Sequence, residues 1–185
     1  MRNFDENKPI SLDHLLTHRS LELSLRLLVI PFCVASLWIM ATNQQLNPDY
    51  GLLDFRNITG TKYLVYINAI CAGYALVGVA LSLLKCMKSD WVFFVSDQVL
   101  AYLMVTSGSA VIEILYLGYM GDRKVSWSEA CSSYSKFCSK IKLSLVLHMV
   151  SMLFFFLLSV ISAYRVFNKF GAPYVSSKEE GEPVE

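Results

Sequence analysis

Four apolar runs, at roughly 21–41, 63–84, 91–120 and 143–167, are each long enough to cross a bilayer. A spanning helix needs about 20 predominantly apolar residues. Inside hydrocarbon every backbone N–H and C=O must find a partner within the protein, so isolated apolar runs of this length can only be helices. The composition agrees: 55% of residues are hydrophobic, 17% are charged and the mean hydropathy is +0.46. That balance excludes an ordinary soluble domain. A net charge of +1 also provides no broad basic field for nucleic acid. The expected fold class is an all-α membrane protein, a four-transmembrane-helix bundle. Polar tails over 1–20 and 168–185 flank a membrane domain over 21–167, with outer loops over about 42–62 and 121–142. The first 20 residues hold no apolar core of a signal peptide, so the first run is expected to act as its own targeting signal. The third run is the longest and should tilt or extend past the headgroups. Pro31 should kink the first mildly.

Two opposite charges stand out inside these runs. Arg26 lies in the first and Asp97 in the third. A charge at the bilayer centre costs about 2.5–3.5 kcal/mol even on the mildest scale, so such residues face a partner or a function. At 1.5 Å per residue both lie roughly 8–9 Å in from the same end of the bundle. Matched depth favours an Arg26–Asp97 pair, with a guanidinium able to grip a carboxylate in two-pronged fashion. Glu22, four residues before Arg26, is the rival partner. Snorkelling of Arg26 to the headgroups is the third reading. Near the other end, Glu113 and His148 also lie at similar estimated depths. They form a second candidate pair, as a packing strut in preference to a titratable element.

An even number of spans puts both termini on one side, and the cytoplasmic side is expected. Nine basic residues then fall inside (Arg2, Lys8, Arg19, Arg26, Lys85, Lys88, Arg165, Lys169 and Lys178) and seven outside. Lys8, Arg19 and Arg26 precede or open the first span, and no basic residue follows until Arg56. Cys131 and Cys138 fall in the second outer loop, where an oxidising compartment favours a disulfide over two free thiols. Residues seven apart on one helix are separated by about 10.5 Å. A disulfide needs Cα atoms within about 7 Å. Pairing therefore requires the helix expected to start at the capping box Ser126-Trp127-Ser128-Glu129 to break before Cys138. Asn57-Ile58-Thr59 in the first outer loop is a glycosylation sequon, a weak vote for the same orientation. Cys33 and Cys71 read as packing residues. Cys86, at the inner end of span two, reads as packing before palmitoylation.

Small residues recur four apart, at Ala69 and Gly73 and at Gly78 and Ser82, a spacing that lets helices approach closely within or between chains. No Walker loop, HExxH, zinc-spaced cluster or nucleophile elbow is present, so no catalytic residue, cofactor or metal is expected. His14 and His18 lie on a segment that reads as an amphipathic helix with Leu12, Leu15 and Leu16, in preference to a metal site.

Particular stretches resemble a plant family. They are Tyr63-Leu64-Val65-Tyr66 running on to Cys71-Ala72-Gly73-Tyr74, then Ser96-Asp97-Gln98-Val99-Leu100-Ala101-Tyr102-Leu103. Trp127-Ser128-Glu129-Ala130-Cys131 and Phe137-Cys138 complete the set. Over roughly residues 20–168 the chain is similar to the Casparian strip membrane domain proteins, in their CASP-like subgroup. The resemblance implies a MARVEL-like four-span fold, plasma-membrane location, and homo- and hetero-oligomers with family members. It also implies a scaffold role, organising a membrane domain and recruiting cell-wall-modifying enzymes. The family's intramembrane Arg and Asp correspond to Arg26 and Asp97, and its paired loop cysteines to Cys131 and Cys138. The founding members carry an aromatic signature in the first outer loop that Asn47 to Lys62 lacks, which points away from the Casparian strip itself. The runner-up function is a small channel or transporter accessory subunit that uses Asp97 and Glu113 along a polar path.

Overall fold

The computed structural model describes residues 12–84, 90–121 and 129–169, with side chains over 20–84, 91–121 and 129–167. Cys86 and Ser126 to Ser128 lie outside the described residues, as do the side chains of His14 and His18. Four long helices dominate: α1 (Leu12–Ala41), α2 (Thr59–Leu83), α3 (Asp90–Met120) and α5 (Ser135–Lys169). Each contains a stretch long and apolar enough to cross a membrane: Ser20–Ala41, Thr59–Leu83, Trp91–Met120 and Ser135–Phe167. α1 runs on through Pro31. α1 starts nine residues before the expected span and α5 eight residues before it, because polar turns continue both helices past the apolar runs.

The helices form a ring. α1 packs against α2 and α5, and α3 packs against α2 and α5. α1 and α3 therefore stand across one diagonal, and α2 and α5 across the other. Polarity is inverted relative to a soluble bundle. Leu27, Leu28, Val34, Trp38, Tyr66, Ile70, Val99 and Phe156 are exposed, while Glu22, Arg26, Asn68, Asp97, Ser107, Ser144, His148 and Ser162 are buried. An apolar girdle around a polar interior suits a hydrocarbon solvent, where packing and interhelical hydrogen bonds hold helices together.

The chain also forms a feature that no strand signal foretold. β1 (Gln44–Asn47) pairs antiparallel with β2 (Gly51–Asp54), with Leu46 opposite Leu52. The turn is local chemistry: the Asn47 side chain accepts from the Asp49 N–H at 2.9 Å, and Gly51 adopts φ +86°. A short 3-10 turn, Phe55–Asn57, leads into α2. At the same end, α4 (Ala130–Ser133) stops at Tyr134, whose φ of −122° and ψ of 49° break the helix before α5 begins. Glu129 is the N-cap of α4 and makes no side-chain cap bond. It is thus not the third helical residue of a helix opened by Ser126. Met40, Leu64, Val111, Leu115, Tyr134, Phe137 and Ile141 pack into one apolar cluster beneath the hairpin.

Candidate functional site

The polar interior centres on Asp97. It is fully buried one face inward on α3 and takes hydrogen bonds from all three other long helices. From α1, Arg26 Nη2 donates to Asp97 Oδ2 at 2.9 Å and Oδ1 at 3.1 Å. From α2, the Tyr74 hydroxyl donates to Oδ1 at 2.7 Å. From α5, the Ser162 hydroxyl donates to Oδ2 at 2.7 Å. A buried carboxylate must be compensated by charge and hydrogen bonds, and here each oxygen has both.

Arg26 is 2% exposed and serves two carboxylates. The same Nη2 also lies 3.1 Å from Glu22 Oε1. Glu22 and Asp97 are thus joint partners, where the sequence posed them as rivals. The grip is through a single nitrogen and not the two-pronged fork that guanidinium chemistry allows. The guanidinium sits over the rings of Tyr74 and Phe93, at 5.1 and 5.2 Å. Its Nη1 rests against Gly78 of α2, where an added Cβ would come within 3.0 Å of it. The chain of charges continues to α5: Arg165 Nη1 donates to Glu22 Oε2 at 2.6 Å. Two guanidinium groups and two carboxylates leave the cluster formally neutral. Arg165 belongs to this site although its place at the end of an apolar run read as a tail charge. Tyr74 stood out only as part of a family-like stretch, and Ser162 gave no signal beyond its residue type.

A second polar tie crosses the other diagonal deeper in the bundle. His148 of α5 lies with Nδ1 3.2 Å from Asn68 Oδ1 of α2. Its Nε2 lies 3.0 Å from the Met104 carbonyl and 3.2 Å from Ser107 Oγ of α3. Asn68 Nδ2 donates to the Leu64 carbonyl at 2.8 Å, which fixes its Oδ1 toward the histidine. Ser36 and Ser144 close the α1–α5 edge at 3.0 Å, and Ser159 of α5 bonds Gln98 of α3.

The expected Glu113–His148 pair does not form. His148 is fully buried, and Glu113 lies on the exposed face of α3. The depth estimate failed because α5 begins at Ser135 and not near 143. His148 is therefore thirteen residues into its helix, level with Ser107, which is thirteen residues before the end of α3 at Met120. Glu113 lies six residues beyond Ser107, about 9 Å farther along the axis and well round the helix.

At the hairpin end, Cys131 and Cys138 form a disulfide with Cα atoms 5.8 Å apart, across the break at Tyr134. Cys33 and Cys71 are buried free thiols within the apolar core. Asn57 is exposed at the end of the 3-10 turn, two residues before α2.

The sequence profile of the Casparian strip membrane protein domain matches residues 16–154. The chain belongs to the Casparian strip membrane protein family. Within it the chain is 54% identical to CASP-like protein 2D1 of Populus trichocarpa over 159 residues, covering 85% of this chain and 94% of that one. It is 52% identical to CASP-like protein 2D1 of Glycine max over 157 residues, covering 84% and 85%. It is 50% identical to CASP-like protein 2D1 of Arabidopsis thaliana over 150 residues, covering 80% and 77%. No solved structure matches. The family match takes in Arg26, Tyr74, Asn68, Asp97 and His148, and so both diagonal ties. Arg165 and Ser162 lie past its end.

Proposed function

We propose that this CASP-like chain is a non-enzymatic scaffold subunit of the plasma membrane. Both termini are cytoplasmic, and the chain associates with itself and with family members to organise a membrane domain. The hairpin end then faces outward and presents its two loops to cell-wall-modifying partners. The observation that carries the reading is the engagement of Asp97 by α1, α2 and α5 together. A carboxylate held this way is a lock for a bundle of fixed shape, which a repeating membrane assembly requires. Orientation draws support from the basic residues that open the first span, and from the disulfide at the hairpin end, which favours an oxidising compartment.

The geometry supports the scaffold over a channel. Asp97 is committed to helix contacts, and Glu113 is sixteen residues farther along α3 on its exposed face. Photobleaching of a tagged chain in a plant plasma membrane, paired with flux assays in reconstituted vesicles, separates the two. The scaffold reading expects slow, incomplete recovery and no flux. Rapid recovery, with flux that Asp97→Asn alters, would overturn it in favour of a conduit.

A further inference from the structure

The bonds that hold the hairpin to the second loop converge on three residues within the segment that the disulfide closes. Asn47 Nδ2 donates to the Ser133 carbonyl at 3.1 Å. Gln45 Oε1 accepts from the Phe137 N–H at 2.8 Å. The Tyr134 hydroxyl donates to the Gly51 carbonyl at 3.0 Å.

Ser133 and Phe137 are four residues apart. In an uninterrupted α-helix the N–H of residue 137 would donate to the carbonyl of residue 133. The break at Tyr134 separates these two groups, and the hairpin takes both of them, one with Asn47 and the other with Gln45. Helix continuity and hairpin docking therefore compete for the same donor and acceptor. The disulfide decides between them. It holds the Cα atoms of Cys131 and Cys138 5.8 Å apart, whereas a continuous helix would set them about 10.5 Å apart along its axis.

We infer that the Cys131–Cys138 disulfide is a redox-controlled latch that keeps the hairpin at 44–54 docked. Reduction by an external dithiol supplies two electrons and two protons. The S–S bond breaks, both cysteines become thiols, and the dithiol is oxidised to its own disulfide. With the constraint gone, α4 and α5 join through Tyr134, the Phe137 N–H turns to the Ser133 carbonyl, and the hairpin loses two of its three anchors, keeping only the Tyr134 hydroxyl on the Gly51 carbonyl. Leu46, Tyr50 and Leu52, which the docked hairpin holds exposed on one rigid platform, are then no longer fixed in place. An oxidising compartment thus sets the shape of the hairpin and of the Cys131–Cys138 segment together.

Hydrogen exchange on the full chain in lipid nanodiscs, with and without dithiothreitol, tests the latch. Reduction is expected to speed exchange of the hairpin amides by about thirtyfold, as loss of two net hydrogen bonds implies. The Phe137 amide stays protected, now by its helical partner, and the four spans are unchanged. The Cys131→Ser/Cys138→Ser variant should behave as the reduced chain does. Gln45→Ala/Asn47→Ala keeps the disulfide and should free the hairpin while also exposing the Phe137 amide. Hairpin protection that survives reduction would overturn the latch. So would a loss of protection that spreads equally through the spans.

Discussion

Arg26 reaches Asp97 across a diagonal of the helix ring, with Nη2 2.9 Å from Oδ2. The parent helices α1 and α3 stand opposite one another, each flanked by α2 and α5. Only a long side chain can close that gap, and arginine does so by lying over Tyr74 and Phe93 on the way. Asn68 and His148 make the corresponding tie between α2 and α5. Two crossed struts at different depths oppose shear of the ring in either direction.

The passage of Arg26 depends on a glycine. A Cβ at Gly78 would come within 3.0 Å of Arg26 Nη1 and 3.2 Å of Cδ, whereas one at Gly73 meets nothing within 4 Å. Gly78→Ala should destabilise the monomer by about 1–3 kcal/mol through overpacking. Gly73→Ala should be neutral or stabilising by up to about 1 kcal/mol, since alanine favours the helix. Unfolding of the two variants in mixed micelles checks the contrast, and equal effects would show that Gly78 makes no special room.

The apolar runs made the helix count legible, because twenty-residue hydrophobic segments have no other stable form in a bilayer. Arg26 and Asp97 were legible because a charge in such a segment demands compensation. The starts of α1 and α5 were not legible: Ser135 to Lys142 is polar, yet it continues α5 by two turns, stabilised by packing of Phe137 and Ile141 in the cluster under the hairpin. That hidden extension produced the false match of Glu113 with His148. The strands escaped notice because each has only four residues and exposes Leu46 and Leu52 outward, the reverse of the usual alternation. Their turn residues, Asn47-Pro48-Asp49-Tyr50-Gly51, were the available signal.

The second strut joins an amide to an imidazole, so removing one partner and removing both should differ in kind. Asn68→Leu leaves a ring nitrogen of His148 without its acceptor in a buried site, at a cost of about 1–3 kcal/mol. Asn68→Leu combined with His148→Phe removes both polar groups together and should cost less than the sum of the singles. Additive losses in the same unfolding assay would mean that the two side chains act separately.

Glu113 provides the contrasting case. It faces outward on α3, away from His148, so Glu113→Gln, which removes a charge from the lipid-facing surface, should leave the bundle unchanged or more stable. Its effect should also be the same in wild-type and His148→Phe backgrounds. A non-additive result would restore the contact that the geometry denies.

The most direct test of the account is a double-mutant cycle on Arg26→Gln and Asp97→Asn, read by unfolding in mixed micelles. Each single change leaves the neutral cluster with one uncompensated buried charge and should cost about 3–5 kcal/mol. The double change restores neutrality. The account predicts a double variant more stable than the sum of the singles by about 0.5–3 kcal/mol, the range for contacting residues. Losses that add to within about 0.3–0.5 kcal/mol, the behaviour of independent sites, would contradict the lock between α1 and α3.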